Sequence, residues 1–399
     1  MRYYILKDVC EINPSKQIAL SPADKISFVP MDSVSVSGDI DTSKSISVSS
    51  IKTYSIFREG DVLFAKITPC MENGKGCIAH GLLNGYGAGS TEFIVLRPNS
   101  QLLTNKWLFY FLSQQSFRQE CKQHMTGSAG QKRVPPKYLG SCSIPVPSIS
   151  EQQRIVARLE ELFSQLDDAE ATLQKTKAQL ALYKKAVLNE AFSDRINMKQ
   201  CHLNDYIIRI ESGKSIRCEE RPPEEDECGI VKVSAVTWGE FDEEESKTCK
   251  PDQFIENRRI MPGDLLISRA NTIQLVGNCV IVKSVNKNLM LSDKILRLVL
   301  KKDILPKFVL YFLRCPAGRR QIQSFSTGNQ ESMRNISQQN IRRIVIPVID
   351  EAKQKAIVEY IEERISVCEA INRIIETAIN TICSLRQSIL KKAFKWEIQ

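Results

Sequence analysis

One stretch of this chain occurs twice without a gap. Residues 145–192 open on Pro145-Val146-Pro147 and close on Ala191-Phe192, and residues 347–394 open on Pro347-Val348-Ile349 and close on Ala393-Phe394, at a constant offset of 202. Ile155 falls on Ile357, Val156 on Val358, Glu160-Glu161 on Glu362-Glu363, Leu180 on Ile382 and Val187 on Ile389. Any fold of this chain must give that stretch two equivalent settings, and an internal repeat decides the architecture before other signals are weighed.

Both copies read as long amphipathic helices. In the first, Ile155, Leu159, Leu162, Leu166, Ala169, Leu173, Leu180, Tyr183 and Val187 recur in alternating steps of four and three, with Thr176 in the one gap. In the second, Ile357, Ile361, Cys368, Ile371, Ile375, Ala378, Ile382, Leu385 and Ile389 do the same, with Arg364 the charged intruder. A stripe repeating every 3.5 residues is what two helices need to wind about each other. Neither copy contains Gly or Pro inside the stripe. About 40 residues at 1.5 Å each make a rod of roughly 60 Å.

The segments before the helices match more loosely. Leu6-x-Asp8 answers Leu203-x-Asp205. Val36-Ser37-Gly38-Asp39-Ile40-Asp41 answers Thr237-Trp238-Gly239-Glu240-Phe241-Asp242 as a hairpin-like stretch. Gly60-Asp61-Val62-Leu63-Phe64 answers Gly263-Asp264-Leu265-Leu266-Ile267, a turn leading into a strand. Further strands are predicted at Glu92–Leu96 and Lys294–Leu300, then helices over Lys106–Leu112 and Lys307–Leu313. The fold class is therefore α+β: two mixed α/β domains joined by two long antiparallel helices in a coiled coil, a tandem duplication with pseudo-two-fold symmetry. The expected divisions are 1–146 and 196–348 for the domains, and 147–195 and 349–399 for the helical regions.

The formal net charge of +9 favours an acidic partner. The excess lies mainly between the helices, and it gathers around two matching polar loops at Thr126-Gly127 and Thr327-Gly328. The candidate nucleic-acid-binding residues are Lys66, Lys75, Arg118, Lys122, Gln131, Lys132, Arg133 and Lys137 in the first copy. In the second they are Arg269, Arg319, Arg320, Asn329, Gln330, Arg334, Arg342 and Arg343, facing Glu331. Lys and Arg are the residues that bind phosphate, and Arg, Asn and Gln are the types that read base edges. A protein with two similar heads suits duplex DNA, which is itself locally two-fold.

Catalytic signatures are missing. The Pro-Pro pairs at Pro135-Pro136 and Pro222-Pro223 precede no aromatic residue that could clamp a flipped base. Gly74-Lys75-Gly76 and Gly85-Tyr86-Gly87-Ala88-Gly89 are Gly-rich but precede no helical pattern, so turns are expected there. Gly213-Lys214-Ser215 lacks the upstream glycine of a phosphate loop, since Ile208 stands at that place. His80, His124 and His202 have no ligand or triad spacing. Thirteen cysteines without a C-x-x-C pair point to reduced thiols in a cytoplasmic protein. No apolar run approaches 18 residues, so no membrane span is expected.

The paired stretches Ile144-Pro145-Val146-Pro147…Glu151-Gln152-Gln153-Arg154-Ile155-Val156 and Ile346-Pro347-Val348…Gln354-Lys355-Ala356-Ile357-Val358 resemble the specificity subunits of Type I restriction–modification systems. The helix ends Leu188-x-x-Ala191-Phe192 and Leu390-x-x-Ala393-Phe394 and the strand entries Gly60-Asp61 and Gly263-Asp264 fit as well. The second copy departs at Glu151 and Arg154, where Lys353 and Ala356 stand. The resemblance covers nearly the whole chain. It implies a non-catalytic subunit whose two target-recognition domains each read one half of a bipartite, asymmetric target in double-stranded DNA. The helices would set the gap and dock two modification (methyltransferase) subunits, which carry S-adenosylmethionine and methylate adenine. Restriction subunits, the motor-nucleases that use ATP and Mg, would join to cleave unmethylated DNA, and no cofactor would bind this chain. A duplicated coiled-coil interaction scaffold without a DNA role is the alternative.

Overall fold

The structure, a computed structural model, describes residues 2–15, 17–51, 53–193, 198–330 and 333–395, with Asn329 described by its backbone alone. The expected boundary at 195/196 and the charge of Glu331 lie outside the described residues.

The duplication extends from sequence to topology. In the first copy a four-stranded antiparallel sheet runs in the order Cys10–Ile12, Phe93–Pro98, Val62–Ala65, Gly76–Ile78. In the second copy Ile207–Ser212, Ile295–Leu300, Leu265–Ser268 and Cys279–Ile281 repeat that order and sense. The Gly-Asp signal has one mechanical role in both. The buried Asp61 carboxylate accepts the Arg58 N–H at 2.9 Å, closing the turn, and receives Arg97 from the neighbouring strand at 2.8 and 2.7 Å. Asp264 likewise accepts the Met261 N–H at 2.9 Å and Arg297 at 2.8 Å. A buried carboxylate is tolerated because a two-toothed guanidinium and a backbone donor satisfy it.

A second sheet in each copy contains a parallel pair, Lys25–Val29 with Tyr86–Gly89 and Cys228–Val231 with Asn288–Met290. The turn expected across Gly85–Gly89 is therefore corrected from Tyr86 onward, where the chain is an inner strand. Its glycines serve close approach: a Cβ on Gly87 would stand 2.2 Å from the Phe57 ring. Glycine there exposes the flat backbone on which the ring lies.

The long helices span Ile149–Ser193 and Glu351–Phe394, 45 and 44 residues. Both start on a side-chain cap at matching positions: Ser148 Oγ accepts the Glu151 N–H at 3.3 Å and Asp350 Oδ1 the Lys353 N–H at 2.9 Å. One turn in, a buried glutamine ties each helix to its head. Gln152 Nε2 donates to the Leu102 and Pro147 carbonyls at 2.8 and 3.0 Å while its Oε1 accepts the Thr104 N–H at 2.8 Å. Gln354 repeats this with Ile349 and Asp303 carbonyls at 2.9 and 3.3 Å and the Leu305 N–H at 2.8 Å. This accounts physically for the Gln of the repeated motif, whose amide has all of its main bonding capacity in use.

The chain divides into two compact units, and each division falls within a long helix: residues 1–173 with 376–399, and residues 174–375. In the first unit Leu390, Ala393 and Phe394 enter the core formed by Leu6, Trp107, Ile144, Ile155 and Leu159. The Phe394 ring centre lies 4.4 Å from that of Trp107 and 5.6 Å from that of Phe111. In the second, Val187, Ala191 and Phe192 join Phe308, Phe312, Ile357, Val358 and Ile361, with Phe192 5.5 and 5.4 Å from the two phenylalanines. Each head thus packs on the start of one helix and the end of the other, and those two segments run antiparallel within the unit. The repeated Ala-Phe is an anchor: alanine lets the helix approach and phenylalanine fills the head.

Of the predicted seam, Ile155, Leu159, Val187, Ile357, Ile361, Ile375 and Ile382 are buried, and Leu162, Leu166, Leu173, Leu180 and Ile389 are half-buried. Ile371 and Leu385 do not belong to it, being 37% and 44% exposed. Their counterparts in the other copy, Ala169 and Tyr183, are exposed too. A straight helix drifts about 20° per heptad against a 3.5-residue stripe, so some stripe positions rotate off the contact line. Among the described residues no helix is long and apolar enough to cross a membrane.

Candidate nucleic-acid interface

Three chain segments meet at the same place in each head. The strand Val62–Ala65 runs out into Lys66, whose N–H bonds the Glu92 carbonyl at 2.9 Å and whose carbonyl accepts the Val134 N–H at 2.9 Å. In the second head Arg269 does the same between the Lys294 carbonyl at 2.7 Å and the Ile336 N–H at 2.9 Å. Position 66 or 269 is thereby flanked by 92 or 294 on one side and by a returning loop carrying Arg133 or Arg334 on the other. The returning loop is a hairpin: Thr126 pairs with Arg133, and Thr327–Gln330 with Met333–Asn335. Gly127 and Gly328 turn it with φ of 122° and 140°.

The two sites share a backbone and differ in charge. Arg133 grips the Glu92 carboxylate, Nε to Oε2 at 2.9 Å and Nη2 to Oε1 at 2.9 Å, and its Nη1 donates to the Gln131 carbonyl at 2.9 Å. That ion pair holds the Arg133 guanidinium above its ordinary pKa. Where Glu92 stands, the second head has Lys294, which lies 3.5 Å from its neighbour Asp293. Among the described residues Arg334 bonds only carbonyls, Gly328 at 2.8 Å and Ser326 at 3.0 Å, and its buried Nε has no partner.

The other candidates separate by burial. Lys122, Gln131, Lys132, Lys137, Arg269 and Arg320 are exposed, and their side chains make no hydrogen bond or ion pair among the described residues. Gln330 is exposed beside them on the second hairpin. The Asn329 side chain lies outside the described residues. Lys66 and Lys75 reach backbone carbonyls, Thr91 at 2.7 Å and Met31 at 3.0 Å. Arg342 donates to Asn204 Oδ1 at 3.0 Å, and Arg343 lies over the Phe325 ring at 5.2 Å.

Arg118 is a correction. It is buried, donates to the Met71 carbonyl at 2.7 Å and stacks 4.8 Å from the Phe64 ring centre, and burial draws its pKa down to about 10. Arg319, its counterpart, donates to the Gln274 carbonyl at 2.9 Å, and burial lowers its pKa as well. Both bond loop carbonyls, Arg118 from a buried position and Arg319 from a half-buried one. Their recurrence in sequence reflects a shared scaffold. Glu92 was missed as a site residue because strand patterning explained it completely.

Two mixed heads that share the order and sense of one four-stranded sheet, each packed on long-helix segments and each carrying a basic hairpin, define the class: a duplicated α+β protein with two long helices. Comparison with known proteins narrows it. Residues 1–178 match the family described as the Type I restriction modification DNA specificity domain. Over 97% of its length the chain is 27% identical to the Type I restriction enzyme EcoEI specificity subunit of Escherichia coli, of which it covers 81%. It is 40% identical to the EcoAI specificity subunit of the same organism over 41% of this chain and 28% of that one. The fold is that of the HsdS subunit from Thermoanaerobacter tengcongensis, with a TM-score of 0.57 at 19% identity over 99% and 97% of the two chains. A chain solved in work on complex assembly and conformational transition of the type I R-M system superposes with a TM-score of 0.76 at 20% identity, over 98% and 97%. Residues 1–178 thus carry a Type I restriction modification DNA specificity domain, and the chain is similar over nearly its whole length to a Type I restriction enzyme specificity subunit.

Proposed function

We propose that this chain selects the DNA sequence on which a Type I restriction–modification complex acts, each head reading one half of a bipartite, asymmetric double-stranded target. The observation that carries the reading is the basic hairpin that recurs at one place in both heads. Its backbone frame is constant, while the side chains on it differ: Lys66, Glu92, Lys132 and Arg133 against Arg269, Lys294, Met333 and Arg334. A constant frame with variable side chains is what two heads need to present different chemistry to two base sequences. The heads correspond to residues 1–146 and 196–348, and the helical regions 147–195 and 349–399 fix the spacing and dock two methyltransferase subunits.

Specificity subunits leave catalysis to their partners. S-adenosylmethionine then sits in the methyltransferase subunits and ATP with Mg in the restriction subunits, all in the cytoplasm. The test is DNA binding and methylome mapping by the assembled complex carrying Arg133→Glu or Arg334→Glu. Weaker binding by either variant supports the reading. Unchanged binding by both would favour an interaction scaffold without a DNA role.

A further inference from the structure

Three cysteines stand side by side in the second head, and nothing in the DNA-reading role uses them. The strand Ser246–Cys249 pairs antiparallel with Cys228–Val231, in a register that sets Cys228 opposite Cys249. On its other edge Glu219 and Thr248 exchange both backbone bonds, Glu219 N–H to Thr248 O at 2.9 Å and Thr248 N–H to Glu219 O at 3.2 Å. One step along that antiparallel register, Cys218 falls opposite Cys249. All three side chains belong to one small apolar cluster with Ile230, Met290 and Phe254.

The backbone also orders the spacings. Glu219–Thr248 is a hydrogen-bonded pair, so Cys218–Cys249 is the close, non-bonded kind, with Cα atoms about 4.5 Å apart. Thr248 turns its polar groups toward Glu219, so Cys249 turns its own toward Cys228, and that pair is the wider kind at about 5.5 Å. Both spacings fall within the roughly 4.4–6.8 Å that a disulfide bridges. Cys249 is buried, whereas Cys218 and Cys228 are half-buried and open to small solutes. In the first unit the matching strands set Lys25 opposite Ser47, so the row is peculiar to the second.

We propose that Cys218 and Cys249 form a reversible disulfide under a peroxide oxidant, with Cys228 as the alternative partner of the central thiol. The Cys218 thiolate attacks one peroxide oxygen; the O–O bond breaks and hydroxide leaves, taking up the thiol proton as water. The resulting sulfenic sulfur is attacked by Cys249; the S–O bond breaks, the S–S bond forms, and the hydroxyl leaves with the Cys249 proton as a second water. Two thiols lose two electrons in all, and the peroxide becomes two waters. Burial pushes the Cys249 thiol up to about 11, so the first attack falls to a flanking cysteine. Burial and the Glu220 charge raise the Cys218 thiol as well, against an opposing pull from Lys247, so its half-buried position is what favours it for the first attack. The bond staples the segment before Cys228, which carries Lys214 and Arg217, to the edge of its sheet.

The test oxidises the full chain with hydrogen peroxide, blocks remaining thiols with iodoacetamide, and maps peptides by mass spectrometry without reductant. A Cys383→Ser background removes the exposed cysteine that could link two molecules. The expected product is the Cys218 peptide joined to the Cys249 peptide, two hydrogens lighter than their sum and released by dithiothreitol. Cys218→Ser moves the link to Cys228–Cys249, and Cys249→Ala abolishes both. Recovery of Cys249 unlinked after oxidation, whether alkylated or as a sulfinic acid, overturns the proposal. The unsubstituted chain gives the same readout, so the result does not depend on the variants folding.

Discussion

Lys184 of the first long helix lies 3.7 Å from Glu369 of the second, and Asp167 of the first pairs with Arg386 of the second at the positions that the 202-residue offset makes equivalent. Each unit therefore fixes its two helical segments in the same antiparallel register with the same signs of charge. These pairs are partly exposed and contribute little stability. Their value is in register, since a shift of either helix would set the charges against other partners.

Adding one heptad to both helices keeps that register and lengthens each by about 10 Å. The expected outcome is a target whose two half-sites are unchanged while the gap grows by about 3 base pairs, at 3.4 Å each. Methylome mapping reads both quantities. A heptad added to one helix alone should instead lower the yield of assembled complex, because the equivalent contacts can no longer form together. An unchanged gap in the doubly extended chain would end the spacer reading.

The buried Gln152 and Gln354 each fasten a helix start to a head through three hydrogen bonds. Replacing either by Ala strands a partly buried N–H and two carbonyls. Unsatisfied groups of this kind cost about 1–3 kcal/mol each, and the loss for the whole substitution should be about 2–4 kcal/mol after local relaxation. Urea denaturation followed separately in each head checks it, with the larger loss expected in the head that carries the change.

The two basic hairpins should differ in their response to salt. Arg133 is already neutralised by Glu92, whereas Arg334 has no carboxylate partner among the described residues. Arg334→Gln should lower the slope of log affinity against log salt by about 1, one phosphate contact being worth about 0.9. Arg133→Gln should change it less, and Glu92→Gln should raise it by about 1 by releasing the arginine. Titration of the assembled complex with a random-sequence duplex at several salt concentrations measures all three.

Acid stability should hinge on Glu211. Burial opposes its charge, yet hydrogen bonds from Arg209 and Arg297, the latter at 2.8 Å, hold its pKa below the usual carboxylate range. A depressed folded-state value stabilises the fold above the unfolded value of about 4.3 and loses that contribution as pH falls through the folded value. Stability of the second head should therefore decline below about pH 4. Glu211→Gln should be less stable near neutrality and flatter in acid, as pH-resolved thermal melts would reveal.

The sequence by itself determined the duplication, the two long helices and most of their contact line, because periodicity and a gapless repeat are local and linear. It also located the turn-to-strand entries at Gly60-Asp61 and Gly263-Asp264, where backbone geometry demands particular residues. The tertiary structure decided what sequence distance hides. It buried Arg118 and half-buried Arg319, each bonding a loop carbonyl, and among the described residues it gave Arg334 no carboxylate partner like that of Arg133. It set Tyr86–Gly89 as a strand under the Phe57 ring and aligned Cys218, Cys249 and Cys228 across three segments. It also divided each helix between two units, so that Phe394 completes the first core and Phe192 the second. The physical reason is common to all of these: the partners of a charge, a ring or a thiol are chosen by chain segments that meet only after folding.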